Sequence, residues 1–587
     1  MVGRFILFLL TGALTSHLIY PRLKIIKRIV YCLLLSVSLT QIMGVALIYA
    51  GLNTPENLTL LLAGFNLIVA ALLHLKRGVD FKTFYEDDLK YVLGFSFLGA
   101  LFRLWFWDSI YKPSDAYAYA YRFIGKQAPD LGFYTGMAAD RSPYIGLEAS
   151  ELISGHLIPH PATSTFLITL TYLGFIYIVF KQYRDRRHAL LGVALMSLGP
   201  IELFHLTTSL AGHSLSYVIL FPLFLLYTSR ENKIIWIILP YAVAMNFTYY
   251  TASMITLIAS LGFTLSTYLR DLNQSRNPLY SLRKTAENPK TRAYLTLAFI
   301  VGLHVYLLSN MWEYSLGTAQ DQTTLDKAVM SLTQAKAAQG TYQDTVYRNP
   351  EILFLSAIRW QALYFLFLGL TFLIHLLWRG RFTEQDVNLF LCLIPVALVS
   401  YGFIHVNLTA RVFDYFAFYA LMAARIPKKH YKNFFILSAV FILLTTLQVA
   451  QDKKVFFETP VGEVQAAQWI SQSLRGRVFS DQFFINQLIL KGYYNVTGAR
   501  EDNPLVLDLF YRENQSLFLD AIQRLNTYSV DYVALTGRMR DEYVLMLNQP
   551  QKPLGNTDFF GETLKKTYDN GDVRVYELNS SLNYSIN

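Results

Sequence analysis

The stretch "FILFLLTGALTSHLIYPRLKIIKR" (residues 5–28) decides the fold, because it joins a long apolar run to a compact basic segment. Crossing the hydrocarbon core of a bilayer as a helix takes roughly 17–25 mostly apolar residues. Lys and Arg directly after such a run are typical of the cytoplasmic side of a span. No small-residue cleavage site follows, so we interpret the run as a retained membrane helix rather than as a signal peptide.

The composition of the whole chain agrees with this first run. Of 587 residues, 53% are hydrophobic and 16% are charged, whereas soluble proteins carry about 25% charged residues. The chain is therefore predicted to be a polytopic α-helical membrane protein with about 14 transmembrane helices. The predicted spans are 4–20, 30–50, 58–75, 91–107, 163–180, 189–207, 213–228, 234–248, 251–269, 293–309, 353–377, 387–404, 410–425 and 433–450.

The orientation of these spans follows from the distribution of Lys and Arg, which are concentrated in short cytoplasmic loops. Every second connection is basic: 22–28, 76–78, 181–187, 229–233, 270–292, 379–381 and 425–432. The alternate connections are poorer in basic residues: 51–57, 108–162, 208–212, 310–352 and 405–409. We therefore predict a multi-pass protein of the plasma membrane, with the region after residue 450 on the outer face. The net charge of +10 is explained by the basic loops, and no nucleic-acid partner is expected.

Residues 451–587 differ in composition and predict an extracytoplasmic α/β domain. A helical pattern runs through "VGEVQAAQWISQSL", and "DYVALTG" and "VRVYEL" are typical of strands. Asn570-Gly571 in "YDNGDVRVYEL" predicts a tight hairpin. The two cysteines, Cys32 and Cys392, lie in apolar runs, which argues against a disulfide framework or a cysteine metal site.

The long outer loop 108–162 carries the candidate catalytic residues. Four acids share it with several cations; the acids are Asp108, Asp115, Asp140 and Glu148. As solvated loop acids and helix caps they would need no further role. A carboxylate just outside the bilayer and near cations is also suited to act as a base beside a lipid-linked phosphate. The other long outer loop, 310–352, is polar and is expected to be either a lid or a solvated helix.

Ionisable residues near the outer ends of later spans are further candidates. Arg411 opens a span, and its guanidinium could bind two phosphate oxygens or simply snorkel to the headgroups. Arg359 is a second candidate of the same kind. If the site uses a divalent cation, Mn²⁺ or Mg²⁺, then Asp115 with Glu202 or His213 would hold it. Glu202 paired with a histidine inside the bundle is the alternative.

Four segments resemble the GT-C class of integral-membrane glycosyltransferases, and in particular the catalytic subunit of oligosaccharyltransferase and its archaeal counterparts. They are "GFYTGMAADRSPYIG" (132–146), "SLAGHSLSYVILFPLFLLY" (209–227), "TARVFDYFAFYALMAARI" (409–426) and "QWISQSLRGRVFSDQFFI" (468–485). The resemblance implies a transmembrane core at 91–450, with residues 1–90 as additional N-terminal helices. It also implies that Arg411, with Arg141 and His160, binds the phosphate of the donor.

The sequence departs from that family at two motifs. "HSLSY" places His213 where the family has metal-binding acids, and "SDQFF" (480–484) replaces the Trp-Trp-Asp-Tyr-Gly motif. The resemblance therefore implies inverting transfer of one sugar from a polyprenyl-phosphate donor to a hydroxyl of a glycan, lipid or protein. The alternatives are oligosaccharyltransferase-like transfer to protein, a transporter or flippase for lipid-linked sugars, and a non-catalytic scaffold. Because ionisable residues collect at the outer ends of spans and no repeat is seen, an enzyme is favoured over a transporter.

Overall fold

Long helices make up most of the chain up to residue 452 in the computed structural model. Residues 2–52, 54–76, 82–105, 161–198, 232–246, 250–308, 428–452, 460–480, 504–510, 513–537 and 556–578 are described. So are the isolated positions 370, 374, 426, 484–485, 487–488, 491, 493, 495–497 and 539. Contacts divide the chain into two compact units; the described residues up to position 450 belong to the first, and those from position 460 onward belong to the second.

The first unit contains helices α1 to α11 in its described part. Their bounds are α1 Val2–Ile19, α2 Ile25–Tyr49, α3 Pro55–Leu75, α4 Leu89–Trp105, α5 Pro161–Tyr183, α6 Arg186–Leu198, α7 Ile235–Asn246, α8 Tyr250–Ser275, α9 Pro278–Glu287, α10 Pro289–Leu308 and α11 Tyr431–Asp452. Two short strands, β1 Arg22–Lys24 and β2 Lys82–Phe84, pair in parallel between the helices.

The described helices include four that are long and apolar enough to cross a membrane. They are Val2–Ile19, Ile25–Tyr49, Pro55–Leu75 and Thr165–Tyr183. Shorter apolar stretches are Leu89–Leu101, Ile235–Met245 and Tyr431–Phe441. A helical membrane protein is therefore the fold class that this part of the chain supports. The total of about 14 spans stays a prediction; spans 213–228, 387–404 and 410–425, and 353–377 except for 370 and 374, lie outside the described residues.

Helices α1, α2 and α3 pack closely through small and polar residues. A Cβ atom on Gly12 would fall 1.9 Å from the carbonyl oxygen of Cys32, so the backbones of α1 and α2 can approach only because this residue is glycine. Asn66 of α3, which is 4% exposed, donates its amide to the carbonyl of Leu7 at 3.0 Å. Arg28 donates to the carbonyl of Tyr20 just beyond the end of α1. Buried polar groups thus find partners inside the helix bundle.

The second unit is built on a five-stranded mixed sheet in the order β4-β3-β5-β7-β6. The strands are β3 Val478–Phe479, β4 Val496–Thr497, β5 Tyr532–Thr536, β6 Lys565–Asp569 and β7 Val573–Glu577. The helices are α12 Val461–Ser473, α13 Pro504–Phe510, α14 Gln515–Thr527 and α15 Thr557–Thr563. Strands β3, β4 and β5 are mutually parallel, whereas β7 runs antiparallel to β5 and β6. The helix and both strands predicted by pattern here are confirmed, and the outer location stays a prediction.

The hairpin predicted at Asn570-Gly571 is present, but its turn is shifted by one residue. Asn570 donates its backbone N–H to the carbonyl of Val573, so Gly571 and Asp572 are the central pair. Gly571 has a φ of +86°, and a glycine with positive φ at the first central position is what a type II′ turn requires. The prediction failed in register because it assigned Asn570 to a central position.

The turn of this hairpin also holds the start of α12. The Asp572 carboxylate accepts the backbone N–H of Gly462 at 3.1 Å, and the Asn570 side chain donates to the Gly462 carbonyl at 2.8 Å. A carboxylate at a helix N-terminus also interacts favourably with the helix dipole. The Trp469 ring stacks on Tyr568 of β6 at 4.4 Å between centroids. The hairpin and α12 therefore form one interlocked element.

Replacing Gly571 by alanine is expected to loosen the hairpin and the start of α12 together. An L-residue in the left-handed region costs roughly 1–2 kcal/mol, and no atom lies within 4 Å of the added Cβ, so the effect comes from the backbone. Hydrogen exchange followed by mass spectrometry on the full chain should show faster exchange at 565–577 and 461–466. Gly561→Ala is the matched control, because its Cβ also meets nothing within 4 Å but its backbone is helical. Equal exchange in both variants would contradict the argument.

Candidate functional site

A buried carboxylate, Asp88, is the centre of the most highly connected polar group among the described residues. It is 3% exposed and accepts hydrogen bonds from the Tyr177 hydroxyl, from Lys181 Nζ at 3.3 Å and from Arg186 Nε at 2.5 Å. Lys181 also reaches Glu86 Oε1 at 3.1 Å. We call these five residues the Asp88 cluster. It joins the start of α4, the end of α5 and the start of α6.

The Asp88 carboxylate accepts three side-chain hydrogen bonds, and these determine its electrostatics. Burial opposes ionisation of Asp88, but the hydrogen bonds from Tyr177, Arg186 and Lys181 outweigh it and lower the carboxyl pKa. A general base needs a pKa near the working pH and a free lone pair aimed at a substrate. Asp88 fits neither condition, so its chemistry is structural: it holds three helix ends in one place.

The Asp88 cluster determines where the segment 106–160 leaves and re-enters the helices. Asp88 precedes α4, and Tyr177 and Lys181 lie in the last turns of α5, so the two packed helices run antiparallel. Val92 and Leu173 belong to the same apolar core between them. Helix α4 is about 25 Å long at 1.5 Å per residue. Both ends of 106–160 are therefore attached at the end of this helix pair away from Asp88.

Every sequence-predicted site residue lies outside the described residues. These are the catalytic candidates Asp108, Asp115, Asp140 and Glu148, the phosphate-binding candidates Arg141, His160, Arg359 and Arg411, and the metal candidates Glu202 and His213. Their roles stay predictions. In the part of the chain that the structure describes, no group of three or more His, Cys, Asp or Glu side chains is placed to bind a metal ion.

A second candidate region lies in the second unit, at the carboxyl ends of its parallel strands. In the sheet, β3 lies between β4 and β5. The chain passes from β3 to β4 on one side and then crosses to β5 on the other side, so a topological switch point lies between β3 and β5. Ligands of open α/β sheets bind in the crevice at such a point. Ser480, directly after β3, is fully buried and donates to the carbonyl of Ala534 in β5 at 2.8 Å. This bond joins β3 and β5 at that edge of the sheet.

Two threonines complete this edge of the sheet. Thr536 ends β5, and its hydroxyl accepts the backbone N–H of Met539 at 3.3 Å. Thr497 ends β4 and is 5% exposed, and its hydroxyl has no hydrogen-bond partner among the described residues. A buried hydroxyl without a partner carries a cost of about 1–3 kcal/mol unless a ligand or a water satisfies it. The edge therefore carries three buried hydroxyl side chains, those of Ser480, Thr497 and Thr536.

Comparison with known proteins gives a distant likeness and no family assignment. No protein-family model matches the sequence, and no curated protein matches it either. Among solved structures, an Archaeoglobus fulgidus oligosaccharyltransferase tethered to an acceptor peptide with the NVT sequon aligns over 77% of this chain and 70% of its own, at 12% identity and a TM-score of 0.46. The archaeal oligosaccharyltransferase AglB from the same organism, in complex with an inhibitory peptide and a dolichol-phosphate, gives the same values. Likeness at this level assigns neither a family nor an activity.

Sequence reasoning missed the Asp88 cluster, although the sequence contains a signal for it. "YEDDLKY" (85–91) places acids immediately before a predicted span, on the side whose connections are otherwise basic. Tyr177 and Lys181 are four residues apart and therefore share one face at the end of α5. The sequence could therefore have predicted an ion-pair cluster that joins two helix ends. Its acids lie in a basic connection, and a Tyr and a Lys lie at the end of another span.

The Asp88→Asn variant is expected to destabilise the folded chain by roughly 1–3 kcal/mol, because a buried charge-assisted hydrogen-bond acceptor is lost. The pKa of Asp88 is lowered from its ordinary value of about 3.9. Its contribution is therefore complete above that value and is lost as the pH falls through the folded-state pKa. Thermal unfolding in detergent should show a constant difference between the two proteins from about pH 8 to pH 5, shrinking in stronger acid.

The neighbouring Asp87→Asn variant is the control, since Asp87 is exposed and removal of its charge should change the unfolding temperature little. Equal unfolding temperatures for Asp88→Asn and Asp87→Asn would show that Asp88 does not pin the helix ends.

Proposed function

We propose that this protein is a membrane glycosyltransferase of the GT-C type. It would transfer a sugar from a polyprenyl-phosphate carrier to an acceptor hydroxyl at the outer face of the membrane. Asp115 takes the proton of the acceptor hydroxyl, with Asp108 as the alternate base. The acceptor oxygen then bonds to the anomeric carbon, the bond from that carbon to the phosphate oxygen breaks, and the phosphate leaves with the electron pair. Attack opposite the leaving group inverts the anomeric configuration.

The observation that carries the proposal is the antiparallel pair α4–α5, pinned by the Asp88 cluster. Because both ends of 106–160 are attached at one end of this pair, the acids predicted to be catalytic belong to a segment tethered at two neighbouring points. A lipid-linked donor presents its phosphate at the headgroup level. A base for it must be held at that height. Tryptophan is favoured at membrane interfaces, and Trp105 ends α4 while Trp107 lies near the start of the segment.

The donor phosphate would be bound by cations and the acceptor by the second unit. Arg411, Arg141 and His160 are the proposed phosphate ligands, with Arg359 as a further candidate, because guanidinium groups pair with two phosphate oxygens at once. Asp140 and Glu148 would orient the acceptor or a divalent ion. The switch point between β3 and β5 supports a role for the second unit in guiding the acceptor, because ligands of open α/β sheets bind at such points.

Asp115→Asn is expected to abolish sugar transfer while insertion and folding are retained, because the amide cannot accept the acceptor proton. Turnover with a radiolabelled polyprenyl-phosphate sugar measures this. General-base catalysis alone is worth roughly 10²–10⁴-fold in rate. Asp130→Asn, in the same segment and without an assigned role, is the matched control and should retain turnover. Full activity of Asp115→Asn would overturn the assignment of the base.

Arg411→Ala is expected to weaken donor binding more than it slows the chemical step. Removing one charged hydrogen-bonding partner of a phosphate costs about 1.5–3 kcal/mol, which is roughly 10–150-fold in the donor dissociation constant. Equilibrium binding of the unlabelled donor to protein in nanodiscs measures it, and Arg411→Lys should recover part of the affinity. Unchanged donor affinity in Arg411→Ala would remove Arg411 from the phosphate site.

A further inference from the structure

The surface of α8, α9 and α10 is apolar on the outside and polar on the inside. Large apolar side chains recur every four residues on the exposed faces of α8 and α10 and are 41–70% exposed: Leu261, Leu265, Leu269, Leu295, Phe299 and Leu303. The buried positions of the same helices include hydroxyl groups: Ser260, Thr267 and Thr291. This inversion of the usual pattern is expected for helices whose outer faces contact lipid.

Helix α9 connects α8 to α10, and its two faces are chemically opposite. Ser281 and Thr285 are buried toward α8, where the Ser281 hydroxyl lies 2.6 Å from that of Ser275. The other face carries Leu279 and Leu282, which are 79% and 58% exposed. In a ten-residue helix, two exposed leucines opposite a polar buried stripe form an amphipathic surface that points away from the protein.

The orientation of α9 is fixed by its caps. Helix α8 ends at Ser275, and Arg276, with a φ of +53°, reverses the chain. The Asn277 side chain then accepts the backbone N–H groups of Leu279 and Tyr280 at 3.1 Å. Pro278 follows at the first helical position, where its fixed φ favours helix initiation. Lys284 also pairs with the buried Asp271 of α8 at 3.2 Å. The turn at Arg276 and Asn277 and the Lys284–Asp271 ion pair therefore fix α9 with its leucines facing outward.

Positive charge surrounds these leucines. The connection 270–292 contains six Lys or Arg residues and two acids, an excess of four positive charges. Arg283 lies beside Leu279 and Leu282 on the same face, and its side chain is 81% exposed. It forms an exposed ion pair with Glu287, one turn further along α9, at 2.9 Å. Exposed leucines bordered by basic residues on a short helix are the pattern of a helix that lies in the plane of a membrane surface.

We propose that α9 is an interfacial helix that binds acidic phospholipids. Leu279 and Leu282 insert between the headgroups, continuous with the lipid-facing rows of α8 and α10, and Arg283 and its basic neighbours contact lipid phosphates. Charge complementarity favours an acidic lipid surface over a zwitterionic one, since basic residues near such a surface are attracted within a Debye length. This proposal is independent of the glycosyltransferase function.

The test places a fluorophore at Leu282→Cys in the full chain, with Cys32 and Cys392 replaced by serine. The labelled protein is reconstituted into nanodiscs of phosphatidylcholine alone or mixed with phosphatidylglycerol, with and without lipids carrying a headgroup-level nitroxide. The expected result is emission at shorter wavelength and quenching by the nitroxide, both stronger when phosphatidylglycerol is present. Arg283→Glu should remove roughly half or more of that acidic-lipid increment, and added salt should reduce it.

Arg524→Glu is the matched control, because Arg524 also forms an exposed ion pair one turn away, with Asp520, but lies in the second unit. It should leave the lipid response unchanged. Water-like emission in both kinds of nanodisc would overturn the proposal. So would emission at short wavelength without nitroxide quenching, which would mean that protein covers the helix. An increment that Arg283→Glu does not alter would overturn the role of the charge.

Discussion

A single buried carboxylate links three helix ends in the first unit. Asp88 can remain ionised away from water only because Tyr177, Lys181 and Arg186 donate to it together. Burying an ion is costly unless it is paired and hydrogen-bonded. The same requirement fixes geometry, since the three donors must converge and the helices that carry them must keep their register. The end of α4 at Trp105 and the start of α5 at Pro161 therefore both lie at the end of this helix pair away from Asp88.

The packing of the other helices in the first unit is explained by their apolar outer surface. Close packing in such a setting cannot depend on burying apolar area, because lipid is as apolar as leucine. The chain uses small residues and polar bonds instead, as at Gly12 between α1 and α2 and at Asn66 between α3 and α1. The polar stripe of α9 against α8 belongs to the same pattern, and its outward leucines are the complement.

The sequence predicted those elements whose signals are local. A single apolar segment can satisfy its backbone hydrogen bonds in a bilayer only as a helix. Helices such as α2 and α3 could therefore be predicted from composition and length alone. The hairpin at residues 565–577 was likewise predicted, but not the register of its turn. The Asn570 side chain donates to the Gly462 carbonyl of the neighbouring helix and accepts the backbone N–H of Val573 within the hairpin, so Asn570 precedes the two central residues. The Asp88 cluster was missed because its partners are separated by about ninety residues.

The catalytic assignment rests on residue types and on a resemblance, and the geometry of its acids and of Arg411 stays a prediction. Sequence alone could mark Asp108 and Asp115 as acids at the end of a span, but a shared pocket is a property of distances between segments. The structure adds that the switch point between β3 and β5 is polar and that its Ser480 hydroxyl is already committed to the sheet. The Thr497 hydroxyl has no hydrogen-bond partner among the described residues.

The link between the hairpin turn and α12 has a consequence for the order of events during translation. Gly462 and its partner Asp572 are 110 positions apart. At a ribosomal rate of about 5–20 residues per second, α12 is made several seconds before the carboxylate that completes its amino end. Helix α12 is thus completed by the turn between β6 and β7, so its amino end reaches its final packing only after Asp572 has emerged.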